Sequence, residues 1–406
     1  MFKVGFNLAQ VLSPLDISRF LKEYWEQNLL YIPREDPDYY AELLTIPDID
    51  RLISSSGLRY PSLRLVKNGV SIPSTKYTYN MPWGGDSFNG MIDSEVVFSE
   101  FYQGATVVMQ ALHSNWMPLA LFCRNLETFF NYPVQTNIYL TPKHSQGFSA
   151  HYDTHDVFVL QVAGAKRWRI YEGPLHLPDR SQAFKPSETV PGKLLLEQEL
   201  KAGDMLYLPR GFMHEGLTSD SDSLHITVGI ISYTWVDIFN EAVSLIKTDA
   251  EFRASLPPGF ILQAGTDNGL STDHYAALLQ KFTGAAVLDK LTAKIADRFI
   301  ASRKPLLDGQ LNQLRSLENF NATSPLERRP GILCKLEPGD NSISLVYTGK
   351  KVTFPGFVEN TLRFIVRQED RSFTVAEMPP ELDEAGRLVL ACRLVREGFL
   401  VVANDN

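Results

Sequence analysis

Apolar and polar positions change rhythm several times along the chain. Residues 13–27 (SPLDISRFLKEYWEQ) predict a helix: Ser13 is a candidate cap, Pro14 suits the first helical position, and Ile17, Phe20, Leu21 and Trp25 fall on one face. LLYIPR (29–34) reads as a short strand. RLVKNGVSIP (64–73) reads as a hairpin turning on Asn68-Gly69, which supplies the positive φ angles of a type I′ turn. From 100 to 130 the spacing is helical again, with a break around 114–118.

Between 134 and 234 the texture shifts. VQTNIYLTP, DVFVLQVAG, KRWRIYE, GDMLYLP and SLHITVGIISY are short, rich in β-branched and aromatic residues, and punctuated by Gly, Pro, Asp and Ser. That pattern predicts a small antiparallel barrel or sandwich. From 236 to about 326 the texture is helical, and ALLQKFTGAAVLDKLTAKIADRFIASR carries apolar residues at helical spacing, with Gly284 a candidate interruption. The segment 330–406 reads as α+β. SISLVYTGKKVTFPGF gives strand-turn-strand with Gly349 near the turn, and TVAEMP and EAGRLVLACRLVREGFLVV give helix, helix, strand. These shifts divide the chain into 1–234, 235–329 and 330–406, without internal repeats or low-complexity tracts.

Composition narrows the partners. With 39 Lys/Arg against 47 Asp/Glu the net charge is -8, which argues against whole-protein affinity for nucleic acid or anionic membrane. Residues 330–406 hold nine Lys/Arg against eleven Asp/Glu, and the basic face that Arg387, Arg393 and Arg396 could form is diluted by Glu384 and Glu397, which favours protein contact or structural support over nucleic-acid binding. Cys123, Cys334 and Cys392 are too few and too far apart for a disulfide framework or a zinc knuckle, and read as reduced thiols of a cytoplasmic protein. MFKVGFNLAQVLSP does not read as a signal peptide, and no apolar run reaches the length of a membrane span.

The chemistry concentrates in two places. His151-Tyr152-Asp153 precedes VFVLQV, and Gly203-Asp204 opens the run GDMLYLPRGFMH that ends at His214. If 151–153 is extended, His151 and Asp153 project to one face. The LYLP run then delivers His214 from another strand. Two imidazoles and one carboxylate make the facial triad of non-haem Fe(II) oxygenases, which leaves three positions for a 2-oxo acid and O₂. An HxD pair is common by chance, whereas GDxxxxPxGxxH is far more specific. His155 alternates onto the same face and is an alternative ligand. His214-Glu215 begins like a zinc-hydrolase HExxH, but Thr218 stands where the second histidine belongs. Serine-hydrolase and nucleotide-binding signatures are absent.

The stretch NIYLTPKHSQGFSAHYDTHDVFVLQVAGAKRWRIY, with GDMLYLPRGFMHEG and SLHITVGI, resembles the ribosomal-oxygenase branch of the Jumonji C hydroxylases, the cupin-4 family. The resemblance covers most of the chain after Gly104. It implies an α+β fold: a double-stranded β-helix (cupin or jelly-roll) core with N-terminal α/β elements, a helical dimerisation segment and a C-terminal winged-helix-like domain. It implies that His151, Asp153 and His214 hold Fe(II), that Lys166 pairs with the distal carboxylate of 2-oxoglutarate, and that the hydroxyls of Tyr139 and Thr227 help hold that co-substrate. Asn137, two residues before Tyr139, shares its face. Arg167 and Arg169 remain alternatives to Lys166, and Tyr139 has the plain alternative of barrel core. His225 alternates with Thr227 and reads as a structural histidine. The loop at 143–150 is either a connection or a mobile lip over the site. The implied activity is hydroxylation of a protein side chain, an arginine or histidine of a ribosomal protein, by a homodimer paired through 275–300. The rivals are a hydroxylase of a peptide natural product or free amino acid, and a non-catalytic metal-binding cupin, which has no need of Lys166.

Overall fold

One long strand organises the barrel. In the computed structural model, which describes residues 5–187, 189–258, 270–369 and 371–403, twelve strands precede residue 232. They are β1 (Leu30–Ile32), β2 (Leu63–Lys67), β3 (Val70–Ser71), β4 (Thr78–Trp83), β5 (Asp86–Ile92), β6 (Thr106–Met109), β7 (Val134–Thr141), β8 (Asp156–Tyr171), β9 (Leu194–Lys201), β10 (Met205–Leu208), β11 (Met213–Leu217) and β12 (Ser223–Ile230). The main sheet runs β1-β10-β8-β12-β7-β6-β2-β3, while β9 and β11 pair with β8 alone. The first half of β8 lies between β10 and β12, and its second half lies between β9 and β11. Thus β8 belongs to both walls of the barrel. DVFVLQVAG and KRWRIYE, two strands by sequence, are one strand that turns at Gly164. There φ is +64°, and a Cβ would stand 1.7 Å from the Asp222 carbonyl oxygen, so only glycine fits.

Strand alternation splits the apolar residues between two cores. Leu63, Leu65, Val107, Ile138, Leu160 and Ile226 pack outward with Phe6, Leu12, Phe20 and Phe122 of the N-terminal segments. Val157, Val159, Trp168, Ile170, Leu206 and Leu208 form a second core, of which Val157 and Trp168 also line the cavity described below. Each fully buried aliphatic side chain contributes about 1.5–3 kcal/mol, so the period-two pattern fixes the register strongly.

The N-terminal region departs from the sequence reading in two places. The helix expected over 13–27 is shorter, Ile17–Glu23, and a second helix, Leu8–Leu12, precedes it. Asp16 rather than Ser13 caps Ile17–Glu23, its Oδ1 accepting the Ser18 N–H at 2.8 Å. A carboxylate there also meets the positive end of the helix. The helical reading of 100–130 is interrupted by β6, whose four residues are all buried. TVVM suits a central strand, and the pairing of β6 with both β2 and β7 overrides the local apolar spacing. The hairpin at 64–73 forms as expected, with Asn68 at φ +50° and Gly69 at +79°.

Backbone contacts divide the chain into two compact units, Met1–Ser232 and Tyr233–Asn406. The second contains the helices Trp235–Ile246, Thr272–Ala285 and Leu288–Ser302, and the C-terminal α+β module. The helical break falls at Ala286-Val287, and Gly284 stays inside its helix. In the module, Ser342–Tyr347 and Lys350–Pro355 form the expected hairpin over Thr348-Gly349. Leu345, Phe354, Leu362, Leu394 and Phe399 share its core. TVAEMP gives a 3-10 turn at Val375–Glu377 rather than a helix, because proline follows at once and holds Met378 extended. No helix among the described residues is long and apolar enough to cross a membrane.

Candidate metal and co-substrate site

His151 and His214 face each other across an isolated β-bridge and exchange both backbone hydrogen bonds, at 3.1 and 2.8 Å. This pairing brings the two imidazoles together. The stretch 152–155 is not a strand, since β8 begins only at Asp156, so the expected alternation within one strand does not place Asp153. Its carbonyl instead accepts the Gly211 N–H at 3.0 Å, tying it to the turn before His214. The Asp153 Oδ2 lies 3.6 Å from the His214 Nε2, and ligand atoms of His151, Asp153 and His214 all fall within 4.8 Å of one another. His155 lines the same cavity without joining that group.

The protonation states suit a cation. The Nδ1 of His151 faces the Ser149 carbonyl at 2.8 Å and the Nδ1 of His214 faces the Phe212 carbonyl at 3.1 Å. A carbonyl only accepts, so each Nδ1 carries the proton and each Nε2 presents a lone pair. Burial, and then His151, pull the His214 pKa down to about 4, which keeps the ring neutral near pH 7. Burial pushes the Asp153 carboxyl up, but the neighbouring imidazoles, His155 foremost, outweigh it and hold the group below its usual range.

Lys166 closes the other end. Its side chain is 4% exposed, and its Nζ donates to the Thr141 Oγ1 at 3.1 Å. It makes no ion pair among the described residues, and burial pulls its pKa down to about 7. Thr141 accepts in turn from Thr106 at 3.2 Å. The lysine stem crosses Gly216 on β11, where a Cβ would stand 2.8 Å from its Cε. Arg167 and Arg169 alternate outward and both pair with Glu197, at 3.8 and 3.3 Å.

The facing wall comes from β7 and β12. Asn137 is opposite Thr227 and Tyr139 is opposite His225. The Thr227 hydroxyl donates to the Asn137 carbonyl at 3.2 Å, and the Asn137 Oδ1 accepts the Ala111 N–H at 3.0 Å. Burial, and then Asp153, push the Tyr139 phenol up to about 12, so it stays protonated and able to donate. His225 stacks on Tyr139 with centroids 4.9 Å apart and meets Trp168 edge-on at 5.3 Å. Burial, and then Lys166, hold its pKa well below the usual histidine range. All seven residues singled out in the sequence line one cavity, joined by Thr106 and by Gly147 and Phe148 of the loop at 143–150. Thr141 was not anticipated. Its position two residues after Tyr139 was the available signal, but a threonine in a strand ordinarily reads as a β-former.

Comparison with known proteins agrees with this geometry. The family model for the JmjC domain matches residues 111–238, the span that holds all seven. A Dictyostelium discoideum protein, bifunctional lysine-specific demethylase and histidyl-hydroxylase NO66, is 29% identical, covering 97% of this chain and 82% of its own length. Residues 111–238 of this chain are thus matched to a JmjC domain.

Its Jumonji C relatives extend to ribosomal oxygenase 1 of Danio rerio, 28% identical over 73% of this chain and 56% of that protein. The chain spans 38% of the NO66 relative of Drosophila persimilis. In fold it is similar to the Escherichia coli ribosomal oxygenase YcfD, solved with cobalt and 2-oxoglutarate, at a TM-score of 0.55, 16% identity and 95% and 98% coverage of the two chains. Jumonji C oxygenases use Fe(II), 2-oxoglutarate and O₂. The donor set here fits such a cation, and the buried Lys166 fits a carboxylate.

Proposed function

We propose that this chain hydroxylates a protein side chain, an arginine or histidine of a ribosomal protein, with His151, Asp153 and His214 as the iron ligands. The observation that carries this reading is Lys166: a buried amine with no acidic partner among the described residues, in the same cavity as two imidazoles and a carboxylate. A buried cation without an anion is costly, and the distal carboxylate of 2-oxoglutarate supplies the missing charge. When bound, Fe(II) with O₂ and 2-oxoglutarate oxidises a substrate C–H bond, releasing succinate and CO₂. The chain's own residues do the positioning. The two carbonyl-locked imidazoles aim Nε2 into the cavity. Lys166 and Thr141 hold one end of the co-substrate, and Asn137, Tyr139 and Thr227 form the wall along which it lies. Trp168, Phe148 and Val157 exclude water, which strengthens every polar contact inside.

The names of the relatives support the protein-substrate reading. The reduced-thiol composition supports a cytoplasmic setting. A homodimer is supported by Trp235, Phe239 and Val243, which lie four residues apart on one helix and are 70%, 60% and 41% exposed. Asp153→Ala is expected to abolish 2-oxoglutarate turnover to succinate; full turnover in that variant, with added iron, would remove the ligand assignment. Crystals with Mn(II) and N-oxalylglycine test which side chains touch each. Ribosomal proteins from a strain lacking this chain are expected to include one lighter by a single oxygen atom, and an unchanged set counts against the ribosomal substrate.

A further inference from the structure

Val107 on β6 stands opposite Leu140 on β7, so the next pair along this ladder is Thr106 and Thr141. Cross-strand neighbours share a face, and the two hydroxyl oxygens lie 3.2 Å apart. Both residues are fully buried. Thr106 is among the residues that line the cavity with Lys166. Thr141 links the two, its Oγ1 accepting from the Thr106 hydroxyl and, at 3.1 Å, from the Lys166 Nζ. Thr106 also meets Gly147 of the loop at 143–150, where a Cβ would stand 3.0 Å from its Oγ1. A side chain at 147 would press on this hydroxyl, and glycine leaves it room to turn.

A carboxylate enclosed beside Lys166 needs more than one donor. It carries two oxygens with about four acceptor sites, and an ammonium that also donates to Thr141 leaves some of them unmet. The other hydroxyls of the site are engaged elsewhere. Thr227 donates to the Asn137 carbonyl, and Tyr139 stands beside Thr227 and Asn137, within reach of the Asp153 charge. Among the described residues the Thr141 hydroxyl only accepts. A hydroxyl is donor and acceptor at once, and its hydrogen rotates to suit its partners. The contact between the two threonines can therefore reverse. When an anion arrives, Thr141 donates to Thr106, and the Thr106 hydrogen turns to the anion. The contact between the oxygens is kept and each hydrogen finds an acceptor. A chain running from ammonium through two hydroxyls to a carboxylate is polarised along its length, which strengthens every bond in it.

We infer that Thr106 is a further binding residue for the distal carboxylate of 2-oxoglutarate, donating its hydroxyl hydrogen to that group beside Lys166 while Thr141 donates to Thr106 in turn. This rests on the oxygenase reading above. The test is calorimetric titration of the full chain, loaded with Mn(II), by 2-oxoglutarate and by 2-oxovalerate, which keeps the 2-oxo acid and the chain length but ends in a methyl group. Thr106→Val removes the hydroxyl and keeps the shape; it is expected to weaken 2-oxoglutarate about tenfold, as loss of a hydrogen bond to a charged group does. Thr106→Ser keeps the hydroxyl and is expected to stay within about threefold of the native chain. Affinity for Mn(II) alone and for 2-oxovalerate should hold within about twofold in both variants, since neither ligand has the group that Thr106 binds. Thr106→Ala removes the same hydroxyl without the branched bulk and is expected to match the valine variant, so a folding defect confined to one of them leaves the test intact. Native affinity for 2-oxoglutarate in the variants without the hydroxyl overturns the proposal. So does a serine variant as weak as the valine one, or a loss of Mn(II) or 2-oxovalerate affinity in step with that of 2-oxoglutarate. A native chain that fails to bind 2-oxoglutarate, or that holds 2-oxovalerate as tightly, strikes the oxygenase reading itself, and this inference with it.

Discussion

Burial leaves the Lys166 amine with a pKa of about 7, so near neutrality it is only partly charged before an anion arrives. A carboxylate beside it raises that value, and binding must therefore take up a proton wherever the free amine is neutral. The sign follows: 2-oxoglutarate affinity is expected to fall as pH rises above 7. At pH 8, calorimetry in buffers of different ionisation heat should detect uptake approaching one proton per co-substrate, of order unity by linkage. Lys166→Met is expected to raise KM for 2-oxoglutarate at least about tenfold, since loss of one partner of a buried charge pair costs roughly 2–5 kcal/mol. Gly216→Ala places a methyl group 2.8 Å from the Lys166 Cε. It should weaken 2-oxoglutarate while leaving Mn(II) affinity intact, and equal loss of both would refute the separation of the two subsites. At this scale the residue types were readable in advance, because two imidazoles, a carboxylate and a lysine have recognisable chemistry. Thr141 was not, because a hydroxyl becomes meaningful only when an ammonium is placed 3.1 Å away.

The turn between β10 and β11 sets where His214 emerges, and it is held from below. The Asp156 carboxylate accepts from the Tyr207 hydroxyl at 3.0 Å, the Arg210 guanidinium at 2.9 Å and the Arg210 backbone N–H at 3.4 Å, while Arg210 also pairs with Glu26. The start of β8 is thereby fastened to the turn that leads to His214. Asp156→Ala is expected to destabilise the fold by about 3 kcal/mol, because it strips a partner from a buried ion network. It should also weaken Mn(II) binding by about tenfold or more, as loss of outer support around metal ligands does. Urea unfolding and metal titration check the two effects, and undiminished metal affinity in the folded variant would show that the bridge between His151 and His214 suffices alone. Elements with a clean period were legible: β7, β10, β12 and the hairpin on Asn68-Gly69 lie where alternation and turn chemistry put them. β6 was not, since four apolar residues between helical stretches carry no period of their own until β2 and β7 flank them.

At the scale of the whole molecule, one exposed apolar surface lies on the helix Trp235–Ile246. The apolar stripe of Leu288–Ser302 is turned inward, with Leu291, Ile295 and Phe299 buried, whereas Trp235 and Phe239 remain exposed. If those two form the core of a two-fold interface, Trp235→Glu combined with Phe239→Glu should convert a dimer to a monomer in light scattering; an unchanged mass would exclude that face. By itself the sequence determined the β-rich centre, the helical and α+β segments that follow it, and the residue types of the site, because burial period and metal-ligand chemistry are local properties of a chain. Only the tertiary structure decided that β8 serves both walls, that a backbone bridge and not a strand's alternation aligns the histidines, and that the Thr141 hydroxyl meets the Lys166 amine. Those facts are set by which strands become neighbours, and pairing between residues tens of positions apart leaves no mark on any local pattern.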